Sequence, residues 1–471
     1  MNMRIVFGLL GSLCLAAPAM ALETLTLPPV DPAAVLAAEA EDKGNRWRFA
    51  VPIPVFVNPS SHGLWSTLDD GRRQWALRVH SPGATSLNFH FSKFRVPPGG
   101  QLELSSSQDR QLIDHTRRGE LWTPVLRGDS VELRLTMPAA GSFELALQEV
   151  YHGFRGFGAK DTVTKSGECN IDVVCPDGDE WRDEIRSVAR YTIGGAFLCS
   201  GQMINNTAGD FRPLFLTANH CVQVPAEGPT LVFYWNYETS TCGGTPDGSL
   251  DQTTSGGTVL AGSYLATDYG PDFTLIELSQ TPPAEFDVYW AGWDNRDYSP
   301  EGVATIHHPA GDEKRISFFY GVAEVSAYLE EPGQADLLGQ VDTHLRIEDW
   351  DVGTTEGGSS GSGLWTIDGR HIVGQLSGGY ASCTSATADW YGRMHTNWFG
   401  FPGELTSVAT HLDPIGSGVE TLDGADPDAE DTELSAPARN STRGGGALPG
   451  ALLALLALAG LRRQKGPHPA R

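Results

Sequence analysis

The sequence predicts an all-β protein with two folded domains and short appendages at both ends. Its 471 residues include 55 glycines and 30 prolines, which separate many short apolar runs. Stretches such as 75–79 and 130–135 alternate apolar with polar residues, as half-buried strands do. The formal net charge of −25 argues against a nucleic-acid partner, because phosphates demand basic patches. We therefore expect antiparallel β domains and no nucleic acid.

The first 21 residues have the layout of an export signal. Arg4 precedes an apolar run from Ile5 to Ala17, and small residues continue up to Ala21. Cys14 lies inside the apolar run, so we do not expect lipid attachment there. The prediction is a signal peptide at 1–21 and a secreted protein.

Residues 22–165 contain no cysteine and predict a small antiparallel β domain. One interpretation is a separate binding module; the other is a pro-domain that keeps a catalytic domain silent and helps it to fold. The junction at 159–169 is polar and aperiodic, which predicts an exposed loop. Lys165 offers a processing site before Ser166, and this favours a pro-domain followed by a catalytic domain at 166–422.

The last 49 residues predict two appendages, a linker and a sorting or anchor segment. Residues 423–443 are acidic and contain proline, which is typical of a flexible linker. Residues 444–471 combine three glycines, an apolar run and two arginines, and they resemble the removable GlyGly C-terminal sorting signals of Gram-negative bacteria. A permanent transmembrane helix is the alternative, although the apolar run at 447–461 reaches about 22 Å against roughly 30 Å of hydrocarbon. Either would hold the protein at the cell surface, transiently or permanently.

Three short segments in a fixed order carry the candidate chemistry. TANHC at 217–221 contains His220, DFTLI at 272–276 contains Asp272, and the glycine-rich GSSGSG contains Ser360. A seryl hydroxyl is a weak nucleophile, so it needs an imidazole to take its proton and a carboxylate to orient that imidazole. The order His, Asp, Ser is that of chymotrypsin-type proteases. It predicts a chymotrypsin-like double β-barrel catalytic domain behind the antiparallel β pro-domain.

Nearby residues compete for two of these roles. Asp268 is the alternative to Asp272, but only Asp272 opens an apolar strand, where a buried carboxylate needs a partner such as an imidazole N–H. Ser359 and Ser362 are the alternatives to Ser360, which holds the central position between two glycines. We therefore favour Asp272 and Ser360.

Six cysteines follow the signal peptide, and an even number in an exported protein predicts three disulfides. The local pair Cys199 and Cys221 would pin the strand that leads to His220. Zinc is the alternative, but no cysteine and histidine spacing fits a zinc site. Nothing in the sequence calls for a metal or an organic cofactor.

Longer stretches carry a family resemblance: CNIDVVCP at 169–176, FLTANHC at 215–221, YWNY at 234–237, AGWD at 291–294, IHHP at 306–309 and YGR at 391–393. With these stretches, residues 167–422 resemble the bacterial lysyl endopeptidases, chymotrypsin-fold serine proteases that cut after lysine. The resemblance implies a triad of His220, Asp272 and Ser360 and an oxyanion hole made by the amides of Gly358 and Ser360. It also implies the disulfides Cys169–Cys383, Cys175–Cys242 and Cys199–Cys221.

The same resemblance implies a specificity pocket. Asp389 matches the aspartate at the bottom of the family's primary pocket, where a buried lysine needs an opposing charge. Tyr328 and Ser377 stand where lysine-specific members place a tryptophan and a histidine, which puts strict preference for lysine in doubt. Ser377 instead resembles the serine that supports the catalytic aspartate in trypsin-like enzymes. Ser377, Gly378 and Gly379 are expected to pair with the substrate backbone.

We therefore expect a secreted serine endopeptidase that cuts after basic residues, preferentially lysine, and processes itself between Lys165 and Ser166. The alternatives are a trypsin-like protease that accepts arginine and lysine equally, and a catalytically silent surface adhesin on a protease fold. The expected partners are protein and peptide substrates, the protein's own pro-domain, and the export and C-terminal sorting machinery. We expect a monomer.

Overall fold

A computed structural model of the chain describes residues 22–39, 46–157, 166–262, 270–329, 342–399 and 407–427. The expected signal peptide, the junction with Lys165, Asp268 and the C-terminal sorting or anchor segment lie outside these residues. Within the described ranges, no helix is both long enough and apolar enough to cross a membrane.

The described part before residue 158 is almost entirely β structure, with one helix, α1 (Pro32–Glu39). Its strands are β1 (Thr24–Thr26), β2 (Trp47–Arg48), β3 (Ala50–Val57), β4 (Leu64–Thr67), β5 (Arg73–His80), β6 (Ser86–Arg95), β7 (Gln101–Ser105), β8 (Arg110–Asp114), β9 (Arg118–Trp122), β10 (Leu126–Arg127), β11 (Ser130–Met137) and β12 (Glu144–Gly153).

Two sheets enclose the core of this N-terminal domain. One has the order β1-β5-β11-β7-β8 with β4 on β5, and the other has the order β10-β6-β12-β3 with β9 on β6. The strands predicted at 75–79 and 130–135 are β5 and β11, which pair antiparallel with Leu77 opposite Leu133. Both leucines are fully buried and belong to one core cluster with Phe89 of the second sheet. Alternation therefore located the strands because it reflects a single buried face.

The remaining strands belong to the catalytic domain: β13 (Ile171–Asp172), β14 (Val188–Ile193), β15 (Phe197–Met203), β16 (Leu214–Ala218), β17 (Val232–Trp235), β18 (Thr253–Ser255), β19 (Gly257–Gly262), β20 (Phe273–Leu278), β21 (Gly292–Asp294), β22 (Glu301–His307), β23 (Arg315–Val322), β24 (Glu324–Ser326), β25 (His344–Ile347), β26 (Gly363–Thr366), β27 (His371–Gly379), β28 (Asp389–Arg393) and β29 (Thr421–Leu422). Its short helices are α2 (Arg182–Ser187), α3 (Met394–Phe399) and α4 (Ala409–Leu412), with 3₁₀ turns at Pro176–Trp181, Pro225–Thr230, Ala284–Phe286 and Pro309–Gly311.

These strands form two large, mainly antiparallel sheets. The first has the order β18-β17-β14-β15-β16-β20-β19, and the N-terminal domain contributes β2 to its strand β15. The second has the order β13-β23-β22-β26-β27-β28-β25-β24, with β21 beside β27 and β29 beside β21. One buried cluster joins the sheets, with Leu216 and Phe273 from the first and Ile306 and Trp365 from the second. The prediction of an all-β, chymotrypsin-like catalytic domain is confirmed.

Three disulfides cross-link the catalytic domain: Cys169–Cys383, Cys175–Cys242 and Cys199–Cys221. The predicted pairing is therefore confirmed. The third bridge ties β15 to the residue that follows His220, so the candidate base lies next to a covalent link between β15 and the end of β16.

Candidate active site

The ends of two paired strands bring His220 and Asp272 together. β16 and β20 are antiparallel, with Ala218 opposite Phe273. The Nδ1–H of His220 donates to Asp272 Oδ2 at 2.8 Å, and the backbone N–H of His220 donates to Oδ1 at 2.8 Å. Asp272 is fully buried. Because Nδ1 is used in this way, Nε2 is the ring nitrogen left for a reacting group.

The backbone of Asp272 is held in a left-handed conformation. Its φ is +55°, which is uncommon for a non-glycine residue and typical of constrained functional positions. The amide of Asn219 donates to the carbonyl of Asp272 at 3.0 Å, and Gln375 Nε2 donates to the carbonyl of Pro271 at 2.7 Å. These bonds keep the carboxylate directed at the imidazole.

The three serines of the glycine-rich loop have different environments. Ser359 and Ser362 are fully buried, and their hydroxyls pair with His307 Nδ1 at 2.7 Å and with Thr305 Oγ1 at 3.2 Å. Ser360 is only partly buried, and its hydroxyl has no hydrogen bond within the described residues. Ser360 is therefore the serine of this loop whose hydroxyl is available to a substrate.

Ser360 and His220 face the same disulfide. The carbonyl of Ser360 accepts from the amide of Ser200 at 2.9 Å and lies 3.8 Å from Cys221 Sγ. The same sulfur lies 3.8 Å from His220 Nε2. The bond from the Ser360 hydroxyl to the imidazole is not formed in this structure, and such bonds often tighten only when a substrate is bound.

The backbone amides of Gly358 and Ser360 are available to bind an anion. The amides of the neighbouring residues donate to the carbonyls of Glu356, Leu376 and Ser359. Those of Gly358 and Ser360 have no acceptor in the described part of the chain. Gly358 has φ +96°, which favours glycine, and its carbonyl accepts from Ser200 Oγ at 2.9 Å. Two free amides next to a free hydroxyl can stabilise a developing oxyanion.

Asp389 is a buried carboxylate beside this loop. It is 1% exposed, and its Oδ2 accepts from Trp350 Nε1 at 2.8 Å and from Thr355 Oγ1 at 2.6 Å. Burial raises the pKa of Asp389 to about 6, although the hydrogen bonds from Thr355, Trp350 and the backbone amide of Ala381 all lower it. The sequence did not point to Trp350 or Thr355, because neither belongs to a motif of its own.

Tyr328, Ser377, Gly378 and Gly379 all lie around Asp389. Gly379 at the end of β27 is opposite Asp389 in β28. A Cβ atom at Gly378 would lie 2.9 Å from the hydroxyl of Tyr328, so that ring covers the glycine. The structure therefore brings together the residues that the resemblance assigned to the pocket.

Ser377 does not have the partner that was expected. Its hydroxyl bonds His344 Nε2 at 3.1 Å, and no bond from Ser377 to Asp272 is present among the described residues. The ring centroid of His344 lies 5.1 Å from that of Tyr328. Burial lowers the pKa of His344 to about 3, so the imidazole is neutral at working pH. An aromatic ring and an imidazole are thus in contact at the pocket, with the imidazole supplied by β25.

The start of the catalytic domain contacts the nucleophile loop. Glu356 accepts from the amide of Gly167 at 3.0 Å, and the hydroxyl of Ser166 donates to Asp312 Oδ2 at 2.7 Å. Burial raises the pKa of Glu356. No sequence motif pointed to Glu356, which links the segment after the expected processing site to the loop that carries Ser360.

We expect Trp350→Phe to raise the pKa of Asp389 further, because it removes an N–H donor to the carboxylate. Hydrogen bonds to charged groups contribute about 1.5–3 kcal/mol, which corresponds to about one pH unit or more. The measurement is the inhibition constant of n-butylamine, a small cation, as a function of pH. As the pH is lowered, inhibition by n-butylamine should begin to weaken at a higher pH in the variant than in the wild type.

Trp365→Phe is the matched control for this experiment. Trp365 is buried like Trp350, but its indole N–H has no partner among the described residues, so its loss leaves Asp389 unchanged. An identical pH dependence in Trp350→Phe and the wild type would contradict the prediction.

Comparisons with known proteins identify relatives of this chain. A family model described as "Lysyl endopeptidase, C-terminal domain" matches residues 163–392. A curated lysyl endopeptidase of Pseudomonas aeruginosa is 33% identical over 394 residues, covering 74% of this chain and 77% of the relative. Similar solved structures include a thermostable serine protease from an extremophilic microorganism (14% identity, TM-score 0.32, 45% of this chain and 92% of that one) and a Glu endopeptidase (17% identity, TM-score 0.29, 44% and 85%).

The protein is thus a serine endopeptidase, and its substrates are proteins and peptides. The similarity to the Pseudomonas relative extends over most of both chains, and the residues matched by the family model include His220, Asp272 and Ser360. The chain belongs to the lysyl endopeptidase family.

Proposed function

We propose that the protein is an exported endopeptidase that cuts peptide bonds after basic residues, preferentially lysine, and that it is made as a precursor which processes itself. The burial of Asp389 is the main support for specificity toward basic residues. In the described part of the chain, the side chains that donate to the Asp389 carboxylate are the indole of Trp350 and the hydroxyl of Thr355, and both are neutral. A buried carboxylate without a cation of its own favours a substrate that supplies one.

The chemistry follows from the positions of the three side chains. Ser360 Oγ attacks the carbonyl carbon while His220 Nε2 takes its proton, and Asp272 stabilises the imidazolium through Nδ1–H. The negative charge on the carbonyl oxygen is met by the amides of Gly358 and Ser360. When the C–N bond breaks, the leaving amine takes the proton from His220. Water then hydrolyses the acyl-enzyme by the same route and regenerates Ser360.

The choice between lysine and arginine depends on the wall of the pocket. The pair formed by Tyr328 and His344 supports a lysine preference, because it narrows the space beside Gly378 and leaves less room for a planar guanidinium. The presence of Ser377 instead of a larger residue supports the second candidate, a protease that takes arginine equally well.

The proposal includes cleavage of the precursor by the enzyme itself and its retention at the cell surface. Lys165 would itself be a substrate, and Ser166 and Gly167 lie against the catalytic domain, where they would start the mature chain. The N-terminal domain then acts as an inhibitor or folding aid, and the C-terminal segment holds the enzyme transiently at the cell surface.

The test is a map of the cuts made in a denatured protein mixture, identified by mass spectrometry, with Ser360→Ala as background. Cuts after lysine alone would support the lysyl specificity, and equal numbers after lysine and arginine would favour the second candidate. A pattern with no preference for basic residues would contradict both, and so would a wild-type pattern identical to the background.

A further inference from the structure

A short strand of the N-terminal domain is built into the catalytic sheet beside the candidate active site. β2 pairs antiparallel with the first two residues of β15, whose edge there is not covered by β16, with Trp47 opposite Leu198 and Arg48 opposite Phe197. The next residue along β15 is Cys199, whose disulfide partner follows His220. Addition of a strand to a sheet edge is how extended peptides are commonly bound.

Arg46, the residue before this strand, is held next to the candidate base. Its Nε donates to the backbone carbonyl of His220 at 3.1 Å. Its two terminal nitrogens donate to the two oxygens of Glu227 at 2.5 and 2.8 Å. The side chains of Arg46 and Glu227 are 13% and 22% exposed. A two-point ion pair of this kind is selective for a cation at that position.

Trp47 lies directly against the nucleophile loop. A Cβ atom at Gly357 would lie 2.4 Å from Trp47 Cδ1, so only glycine permits this approach. A Cβ atom at Gly311 would lie 3.2 Å from Trp47 Cζ3. The guanidinium of Arg155 lies 4.2 Å from the Trp47 ring centroid and covers the indole. The ring therefore occupies a fitted site next to Gly358.

The position of this segment identifies which half of a substrate it mimics. A substrate places its acyl half toward Asp389 and β27, and its leaving amine must reach His220 to be protonated. Within the described residues, no hydrogen bond or ring contact of Arg46 or Trp47 reaches Asp389 or β27. Arg46 contacts the backbone of His220, and Trp47 lies opposite Leu198 and against Gly357 of the nucleophile loop. The leaving half of a substrate would extend past these same residues.

We propose that the edge of β15, Glu227 and the surface at Gly357 bind the leaving half of the substrate, and that Arg46 and Trp47 block these subsites in the precursor. The subsites take a cationic residue directly after the cut bond and a large aromatic residue next. This inference rests on the proposed endopeptidase function and deepens it, because it assigns specificity to the side of the bond opposite to Asp389.

The N-terminal domain is docked well enough to keep the strand in place. Phe49 and Phe157 share a buried cluster with Leu198 and Tyr234 of the catalytic domain. The hydroxyl of Tyr234 also accepts from the amide of Val125 at 2.9 Å. A strand tethered to its site has a high effective concentration, so it competes with free substrate until the domain is released.

The test of the block uses the full-length chain with Lys165→Gln, confirmed intact by mass spectrometry. Two substrates share one lysyl acyl half: one has a small coumarin amide as leaving group, and the other continues for several residues after lysine, beginning Arg-Trp. We expect Arg46→Ala/Trp47→Ala to raise hydrolysis of the extended substrate, relative to the small amide, by about ten-fold or more. Trp65→Ala, a tryptophan of the same domain that packs on Phe143, is the matched control and should not change this ratio.

The outcomes separate the inference from the function on which it rests. An unchanged ratio in the double variant, an equal rise in Trp65→Ala, or no hydrolysis by the intact double variant would overturn the block. Failure of the processed wild-type enzyme to hydrolyse the small lysyl amide would overturn the proposed function itself.

The subsites themselves are tested in the wild-type enzyme through its own cleavage map. Cut sites should be enriched in arginine or lysine at the first position after the bond and in aromatic residues at the second. Glu227→Gln should remove the first enrichment and keep the second. A map with no preference at either position, or one that Glu227→Gln leaves unaltered, would overturn the assignment.

Discussion

Replacing Ser360 by alanine is expected to lower kcat/KM for lysyl substrates by about 10⁵-fold or more, because triad members act as a unit and the residual rate comes from the oxyanion site and binding. Among the described residues, the hydroxyl of Ser360 has no hydrogen-bond partner, and it lies beside the two unpaired amides and the disulfide that adjoins His220. The variant chain should also keep its N-terminal domain, because it cannot cut after Lys165. Rates of hydrolysis of a lysyl amide measure the first effect, and mass spectrometry of the expressed chain measures the second; a phosphonate probe reports whether the nucleophile can be labelled.

Ser362→Ala is the control from the same loop. Ser362 is fully buried and bonded to Thr305, so its loss should leave labelling and processing intact. Normal turnover by Ser360→Ala would refute the assignment of the nucleophile. A folded wild-type protein that takes no label would favour the adhesin interpretation.

Replacing Asp389 by asparagine is expected to lower kcat/KM for lysyl substrates by roughly 10²- to 10³-fold. Removal of one partner of a buried charge pair costs about 2–5 kcal/mol. An asparagine with its amide oxygen at the Oδ2 position keeps the bonds from Trp350 and Thr355, and it removes the charge that also accepts from the backbone amide of Ala381. The exposed Asp368→Asn removes the same charge from a turn and serves as the control. Equal losses in the two variants would contradict the pocket assignment.

The same substitution should stabilise the protein at neutral pH. Burial raises the pKa of Asp389 from 3.8 to about 6, so the native state holds this proton more tightly than the unfolded chain does. The stability linked to this proton is present at low pH and is lost as pH rises through 6. At pH 8, Asp389→Asn should therefore increase the free energy of unfolding by up to about 3 kcal/mol. Denaturant unfolding of Ser360→Ala chains at pH 8 and pH 4 measures this gain and its disappearance on acidification.

A gain of this kind in Asp389→Asn, combined with lost activity, would mark the carboxylate as a residue kept for substrate binding. No gain at pH 8 would mean that the carboxylate is already compensated in the folded chain. That result would remove the physical argument for a cationic substrate.

Local sequence patterns were enough to predict the features that depend on residues close together in the chain. The strands at 75–79 and 130–135 show the period of a sheet with one buried face, and the structure has β5 and β11 there. The order of His220, Asp272 and Ser360 along the chain indicated the fold class, because other folds that carry such a triad have its members in a different order. The cysteine count predicted three bridges, and the family resemblance predicted their pairing.

Other parts depend on contacts between residues far apart in the chain. Trp350 and Thr355 reach Asp389 only because the loop after β25 folds back over β28. Ser377 was expected at Asp272, but the pairing of β25 with β28 places His344 within its reach. The pairing of β2 with β15 is of the same kind, since Arg46 and Glu227 are 181 residues apart in the chain.

The sequence by itself determined the β architecture, the serine endopeptidase class and the residues of the candidate triad, because each is encoded by a short motif or a local period. Only the tertiary structure decided which serine has a free hydroxyl, what holds the pocket carboxylate, and where the N-terminal domain meets the catalytic domain. Those properties arise from burial and hydrogen bonding between distant segments, and such contacts exist only once both sheets and the N-terminal domain have packed.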